Sequence, residues 1–188
     1  TSQESGFAKS LKPGEEFVSV PCALAVAEGD FEASIQALTE YRRRIRRKNQ
    51  DNENLPVIFN DYMNCLMGEP TTEVLKPLID SAEKAGCEYF CIDCGWYSDG
   101  YWWDGVGEWL PSQKRFPGGL QEVIRYIRSK NMTPGLWREL EVMGKKCPPA
   151  DMAPSEWFFQ RHGGRVVDHL AYKRDCRHPA VHQYAGGV

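Results

Sequence analysis

Four carboxylates, Asp61, Asp93, Glu139 and Glu141, stand at or just past the ends of short apolar runs, each with aromatic residues close by. Val57-Ile58-Phe59 runs into Asn60-Asp61-Tyr62. Tyr89-Phe90-Cys91-Ile92 runs into Asp93-Cys94-Gly95-Trp96. Pro134-Gly135-Leu136-Trp137 runs into Arg138-Glu139-Leu140-Glu141. Ionised carboxylates are strong acceptors for hydroxyl groups, and aromatic rings offer flat apolar faces to the C–H surface of a sugar. Taken singly, each carboxylate is better read as a helix cap or a surface charge, and each aromatic as a core residue. Repetition at three successive strand ends points instead to three walls of one polar pocket. Asp61, Tyr62, Asp93, Trp96, Trp137, Glu139 and Glu141 are its candidate lining.

The elements that must hold these residues follow an alternating pattern. A buried parallel strand is apolar along its length and presents its chemistry at its carboxyl end. Strands are expected to start near residues 57, 88 and 133. A helix begins near Thr71 or Thr72, with Leu75, Leu78, Ile79 and Ala82 on one face and Gly86 just past its end. Pro77 suggests that the regular helix starts only there. A second helix runs from Leu120 to near Asn131. This spacing fits right-handed βαβ units of about 30 residues or more. From Glu141 through Trp157 and Val167 the chain makes a long excursion, in which Asp168 and Asp175 read as loop residues. A further helix then opens at Pro179. Three parallel strands cannot close a barrel and leave an apolar edge, so the sequence reads as a fragment.

Upstream, Asp30 caps a helix in which Phe31, Ile35, Leu38, Tyr41 and Ile45 recur at helical spacing, and the run Arg42-Arg43-Arg44 falls in its last turns. Residues 50–54 read as a polar linker. Phe17-Val18-Ser19-Val20 and Cys22-Ala23-Leu24-Ala25-Val26 are two short β-like runs, too few to form a sheet alone.

Composition excludes several classes of function. The chain has 188 residues, 41% hydrophobic and 26% charged, which suits a soluble globular protein. A net charge of −3 gives no case for nucleic acid, and the arginine run reads as a solvated helix face. No apolar stretch approaches the about 20 residues of a membrane span, and the polar start does not read as a signal peptide, so a cytoplasmic protein is expected. Seven cysteines are an odd number. Cys91-x-x-Cys94 lacks the second pair a zinc site needs, and Cys91 falls inside a strand and not at a helix start. Reduced, mostly buried thiols are expected, with no metal and no cofactor. A thiol or metal protein built on Cys87, Cys91 and Cys94 is the less favoured alternative.

Four ordered motifs carry a family resemblance: Asn60-Asp61-Tyr62, Ile92-Asp93-Cys94-Gly95-Trp96, Gly107-Glu108-Trp109-Leu110 with Lys114 through Leu120, and Gly135-Leu136-Trp137-Arg138-Glu139-Leu140-Glu141. Together, over roughly residues 10–185, the chain resembles the family 36 glycoside hydrolases, the α-galactosidases (melibiases) and α-N-acetylgalactosaminidases. The resemblance implies an α/β fold: residues 1–27 as the end of an N-terminal β-supersandwich, 28–54 as a connecting helix and linker, and 55–188 as the first three βα units of a (β/α)8 barrel. It implies action on a terminal α-linked galactose or a related oligosaccharide, by a retaining mechanism with two carboxyl groups about 5–5.5 Å apart. The family's nucleophile lies in a Lys-x-Asp motif at the fourth strand, expected downstream of Val188. Within the chain the resemblance therefore leaves substrate recognition and no catalytic residue.

Asp93 matches the first aspartate of the family's Asp-Asp-Gly-Trp motif, suited to the hydroxyls at C4 and C6 of a galactosyl ring. Cys94 replaces the second aspartate and joins the candidate substrate-binding residues. Arg138 and Leu140 depart from the commoner Glu-Pro-Glu surroundings, while Glu139 and Glu141 align. N-acetylgalactosamine or galactosamine specificity, or a sugar-binding remnant without catalysis, are the alternatives. The resemblance also admits a homo-oligomer in a full-length protein.

Overall fold

The computed structural model describes residues 10–186 and divides into two units, residues 1–53 and 54–188. In the first unit, helix α1 (Phe31–Ile45) begins as its sequence requires: the Asp30 carboxylate accepts a hydrogen bond from the Ala33 N–H at 3.2 Å. Arg42, Arg43 and Arg44 occupy its last turn, where cations complement the helix dipole. Phe31, Ile35, Tyr41 and Ile45 are exposed within the unit. Residues 50–54, expected to be a linker, form a short helix, α2 (Gln50–Asn54). The Asn49 side chain caps it, accepting from the Asn52 N–H at 2.9 Å. The two β-like runs between residues 17 and 26 form no strand, and Val18, Leu24 and Val26 are almost fully exposed. With no neighbouring strand to take up their N–H and C=O groups, alternation alone does not make a sheet. Residues 1–9 of the expected sandwich segment lie outside the described residues.

The second unit is organised on a parallel sheet of β1 (Ile58–Asn60), β2 (Tyr89–Ile92) and β3 (Thr133–Leu136), in that order. Asn60 is level with Cys91, and Cys91 with Gly135. Helix α3 (Thr72–Lys84) links β1 to β2, and α5 (Leu120–Ser129) links β2 to β3. Their apolar faces, Leu75, Ile79 and Ala82 on one and Leu120, Val123, Ile124 and Ile127 on the other, join Phe90 and Ile92 in a single buried core. Phe59 stacks on Phe90 with ring centroids 5.1 Å apart.

Contrary to the sequence expectation, α3 runs through Pro77. The Thr71 hydroxyl caps its first turn, and packing of Leu75 and Ile79 outweighs the one backbone bond that proline removes. Gly86, at φ +81°, closes α3. Its N–H donates to the Glu83 carbonyl and the Cys87 N–H to the Ala82 carbonyl, the two bonds of a Schellman cap.

Between β2 and α5 lies the short helix α4 (Trp102–Gly105). The excursion after β3 is more ordered than its sequence suggests. β4 (Val142–Gly144) opens it, followed by α6 (Pro149–Met152) and a hairpin of β5 (Gln160–Arg161) and β6 (Gly164–Arg165). β7 (Val167–Asp168) and β8 (Ala171–Lys173) then complete an antiparallel sheet in the order β4-β8-β7. Asp168 is thus a strand residue, ion-paired to Lys173 at 3.1 Å, while Asp175 is a turn residue paired to Arg177 at 2.7 Å. Helix α7 (Pro179–Gly186) starts at its proline, as expected.

Candidate sugar-binding site

Alternation along β2 decides where its chemistry points. Phe90 and Ile92 are buried beneath the helices, whereas Tyr89 and Cys91 are half-buried on the opposite face. Continuing that period places Asp93 on the half-buried face, directly past the strand end. Its carboxylate is held on both sides. Oδ1 accepts from the Cys94 N–H at 2.7 Å, and Oδ2 accepts from the Asn60 side-chain amide at 2.6 Å. The other end of the Asn60 amide accepts from the Tyr62 N–H at 2.9 Å. Asn60 therefore ties the turn after β1 to the carboxylate after β2. It belongs to the first sequence motif but not to the lining expected from sequence; the signal for it is an Asn two positions before an N–H that its side chain can cap.

Asp61 is buried. Its Oδ1 accepts from the Asp93 N–H at 2.7 Å, and its Oδ2 has no partner among the described residues. Burial pushes its pKa up to about 6, with the nearby Asp93 charge adding to the effect and the hydrogen bond from the Asp93 N–H opposing it. The chain after Asp61 winds as a π-helical turn over Tyr62–Leu66, in which the Leu66 N–H donates to the Asp61 carbonyl and the Met67 N–H to the Tyr62 carbonyl. Cys94 is buried beside this turn, and its thiol is held well above the ordinary range, first by burial and then by Asp93. Burial, then Asp93, also raises Cys91, to about 11. All seven cysteines are free, and no cluster of metal-ligating side chains occurs among the described residues.

The aromatic residues divide into a supporting layer and an accessible one. Trp96 is a correction to the sequence expectation: only 1% exposed, it lies in the core and stacks on Trp109, with its indole N–H donating to the Trp137 carbonyl at 3.0 Å. An indole so enclosed offers no face to a ligand; it positions Trp137. Trp137 is half-buried, meets Trp102 edge-on at 5.8 Å, and Trp102 in turn meets Tyr62 at 6.0 Å. Tyr62 and Trp137 are thus joined through one indole.

Glu139 is half-buried, and its carboxyl is raised by burial and then by Glu141. Glu141 is exposed, and its carbonyl accepts from the Arg174 N–H at 2.7 Å. Asn60, Asp61, Tyr62 and Asp93 form one hydrogen-bonded group with Cys94 attached through its main chain, whereas among the described residues no hydrogen bond links Glu139 or Glu141 to it. A cavity of about 630 Å³ between Thr71, Lys76, Lys114 and Glu122 contains none of the expected site residues.

The sequence pattern of the melibiase family matches residues 22–169, more than three quarters of the chain. The chain belongs to the melibiase family. Among curated relatives, Alpha-galactosidase 1 of Pediococcus pentosaceus is 27% identical over 71% of the chain and 18% of its own length. Alpha-galactosidase Mel36A of Lactobacillus acidophilus is 28% identical over 73% of the chain and 19% of its length. The chain thus spans about a fifth of the curated relatives it matches. Two solved structures share its fold. The GH36 alpha-galactosidase AgaA of Geobacillus stearothermophilus superposes with a TM-score of 0.68 at 19% identity, covering 81% of the chain and 21% of that protein. TtGalA of Thermus thermophilus, solved with stachyose, superposes with a TM-score of 0.67 at 21% identity over 81% of the chain and 32% of that protein.

Proposed function

We propose that the chain supplies the sugar-gripping part of an α-galactosidase-type glycoside hydrolase, with residues 55–188 as the first three βα units of a (β/α)8 barrel. The observation that carries this is the Asn60–Asp93–Asp61 group at the carboxyl ends of neighbouring parallel strands. Each Asp93 oxygen accepts one protein hydrogen bond and keeps a lone pair for a ligand hydroxyl, as bridging the C4 and C6 hydroxyls of a galactosyl ring requires. Tyr62 and Trp137 supply aromatic surface beside it. That the curated relatives are named alpha-galactosidases supports galactose, and not an N-acetylated sugar, as the ligand in this reading. Asp61 and Asp93 hold main-chain and amide donors, and so serve as grip and support. In this reading the carboxyl pair of a retaining mechanism lies outside the 188 residues.

The test uses the 188-residue chain itself. Galactose, glucose and an aryl α-galactoside are titrated calorimetrically into wild type and Asp93→Asn. Galactose is expected to bind at least tenfold more tightly than its C4 epimer glucose, and Asp93→Asn to lose on the order of 2–3 kcal/mol, as for a hydrogen bond to a charged group. No aryl α-galactoside should be hydrolysed above background. Equal affinity for galactose and glucose would overturn the recognition role. Turnover abolished by Asp168→Asn or Asp175→Asn would overturn the placement of the catalytic carboxylates.

A further inference from the structure

The antiparallel sheet that follows β3 ends in a residue the sugar site does not use. Arg174 directly follows β8, bridges Phe158 across the chain, and is only 1% exposed. Its main-chain N–H donates to the Glu141 carbonyl, but Nε, Nη1 and Nη2 have no hydrogen-bond partner among the described residues. The Tyr184 ring of α7 lies 5.8 Å from the guanidinium, and Tyr184 is itself pinned by its hydroxyl, which donates to the Gly107 carbonyl at 3.1 Å. Beside this lies a small apolar cluster that includes Met143, Cys147 and Phe158.

A guanidinium stays cationic at any pH a folded protein tolerates. Burial pulls its pKa down, but from a starting point so high that protonation persists at neutrality. A buried, charged donor group with all its N–H bonds unused is among the most costly arrangements in a protein. Among the described residues no carboxylate pairs with it: the salt bridges of this region join Lys173 to Asp168 and Arg177 to Asp175. Glu141 acts on the guanidinium only from a distance, and its side chain is exposed.

We propose that Arg174 is a binding site for a small monovalent anion of the chloride class, enclosed beneath Tyr184. A compact ion suits a guanidinium whose electrostatic neighbours are the Tyr184 ring, the Cys147 and Cys176 thiols and the more distant Glu141. Binding satisfies the guanidinium and locks α7 against β8, so the anion stabilises this part of the fold.

The experiment follows thermal unfolding of the full chain as sodium chloride replaces sodium gluconate at constant ionic strength. In parallel, the chloride NMR linewidth is read with wild type, Arg174→Met and Glu141→Gln. Wild type is expected to gain about 5–10 °C in Tm at chloride a hundredfold above its Kd, and to broaden the chloride line. Arg174→Met should do neither, and Glu141→Gln should do both. A wild-type Tm and linewidth that ignore chloride would overturn the proposal. So would an equal response in Arg174→Met. Loss of the response in Glu141→Gln would make that carboxylate a partner of the guanidinium and overturn the proposal equally.

Discussion

The Oδ1 of Asp61 accepts a hydrogen bond from the main-chain N–H of Asp93 at 2.7 Å, so the residue after β1 fixes the backbone that ends β2. Asn60 repeats the tie through side chains, its amide donating to the Asp93 carboxylate. Two adjacent residues, the last of β1 and the one after it, thereby set the position and the direction of the carboxylate expected to meet the sugar.

Asp61 should make stability fall with pH across a defined window. Its carboxyl rises from 3.8 to about 6 on folding, chiefly through burial. The folded state then holds the proton more tightly than the unfolded state, and the contribution is fully present below about pH 4 and lost as pH rises through 6. An upward move of this size corresponds to about 3 kcal/mol. Tm measured from pH 4 to 7 should decline more steeply for wild type than for Asp61→Asn; parallel curves would exclude Asp61 as the source.

Gly95→Ala should disrupt the site through the backbone. Gly95 sits at φ +93°, and an added Cβ would collide with the carbonyl oxygen of Gly68. Both are rigid main-chain positions, so the loop after Asp93 must move. A loss on the order of 3 kcal/mol or more in urea unfolding is expected. Gly100→Ala, where a Cβ meets open space, is the control and should cost far less.

Cys94 is expected to act by packing. It is 1% exposed, and its sulfur lies 3.2 Å from where a Cβ on Gly68 would stand. Cys94→Ala should leave galactose affinity within about twofold. Cys94→Asp should lower stability by about 2–4 kcal/mol, because it adds a second carboxylate to a buried place beside Asp93. Calorimetric affinity and urea midpoints test the two substitutions separately. A large change in the ratio of galactose to N-acetylgalactosamine affinity in either variant would make the position a specificity determinant.

Thiol labelling should sort the cysteines by burial. Cys22 is exposed, whereas Cys94 and Cys147 are buried with their thiols raised, Cys147 to about 12. Alkylation at pH 8 followed by peptide mass spectrometry should modify Cys22 first. The other two should remain unmodified until urea unfolds the chain, because the thiolate is the reacting species and its fraction falls tenfold per pH unit below the pKa.

The strands and helices around the site could be read directly from sequence, because they follow simple periods and carry their own stop signals. Tyr89–Ile92 is apolar and ends at a charge, and α3 starts just after Thr71 and ends before Gly86, as expected, with Thr71 also supplying its N-terminal cap. Pro77 misled because core packing is invisible to a local rule. The β4-β8-β7 sheet could not be read, since strands of two or three residues are too short for alternation to register. Trp96 misled for a different reason: adjacency in sequence to Asp93 does not say which side of the turn an indole takes. Its destination depends on Trp109 and Trp137, 13 and 41 positions away.

The register of β1, β2 and β3 constrains how such a site can change over generations. Asn60 is level with Cys91, yet its side chain reaches forward to Asp93, so the grip spans a diagonal of the sheet. Removing one residue anywhere within Tyr89–Ile92 would exchange the two faces of the strand, sending the carboxylate toward the helices and an apolar side chain toward the ligand. Insertions beyond Gly95 or before Tyr89 leave that parity untouched. Lineages carrying this scaffold should therefore vary freely in the length of their loops while admitting no single-codon gap inside the strand.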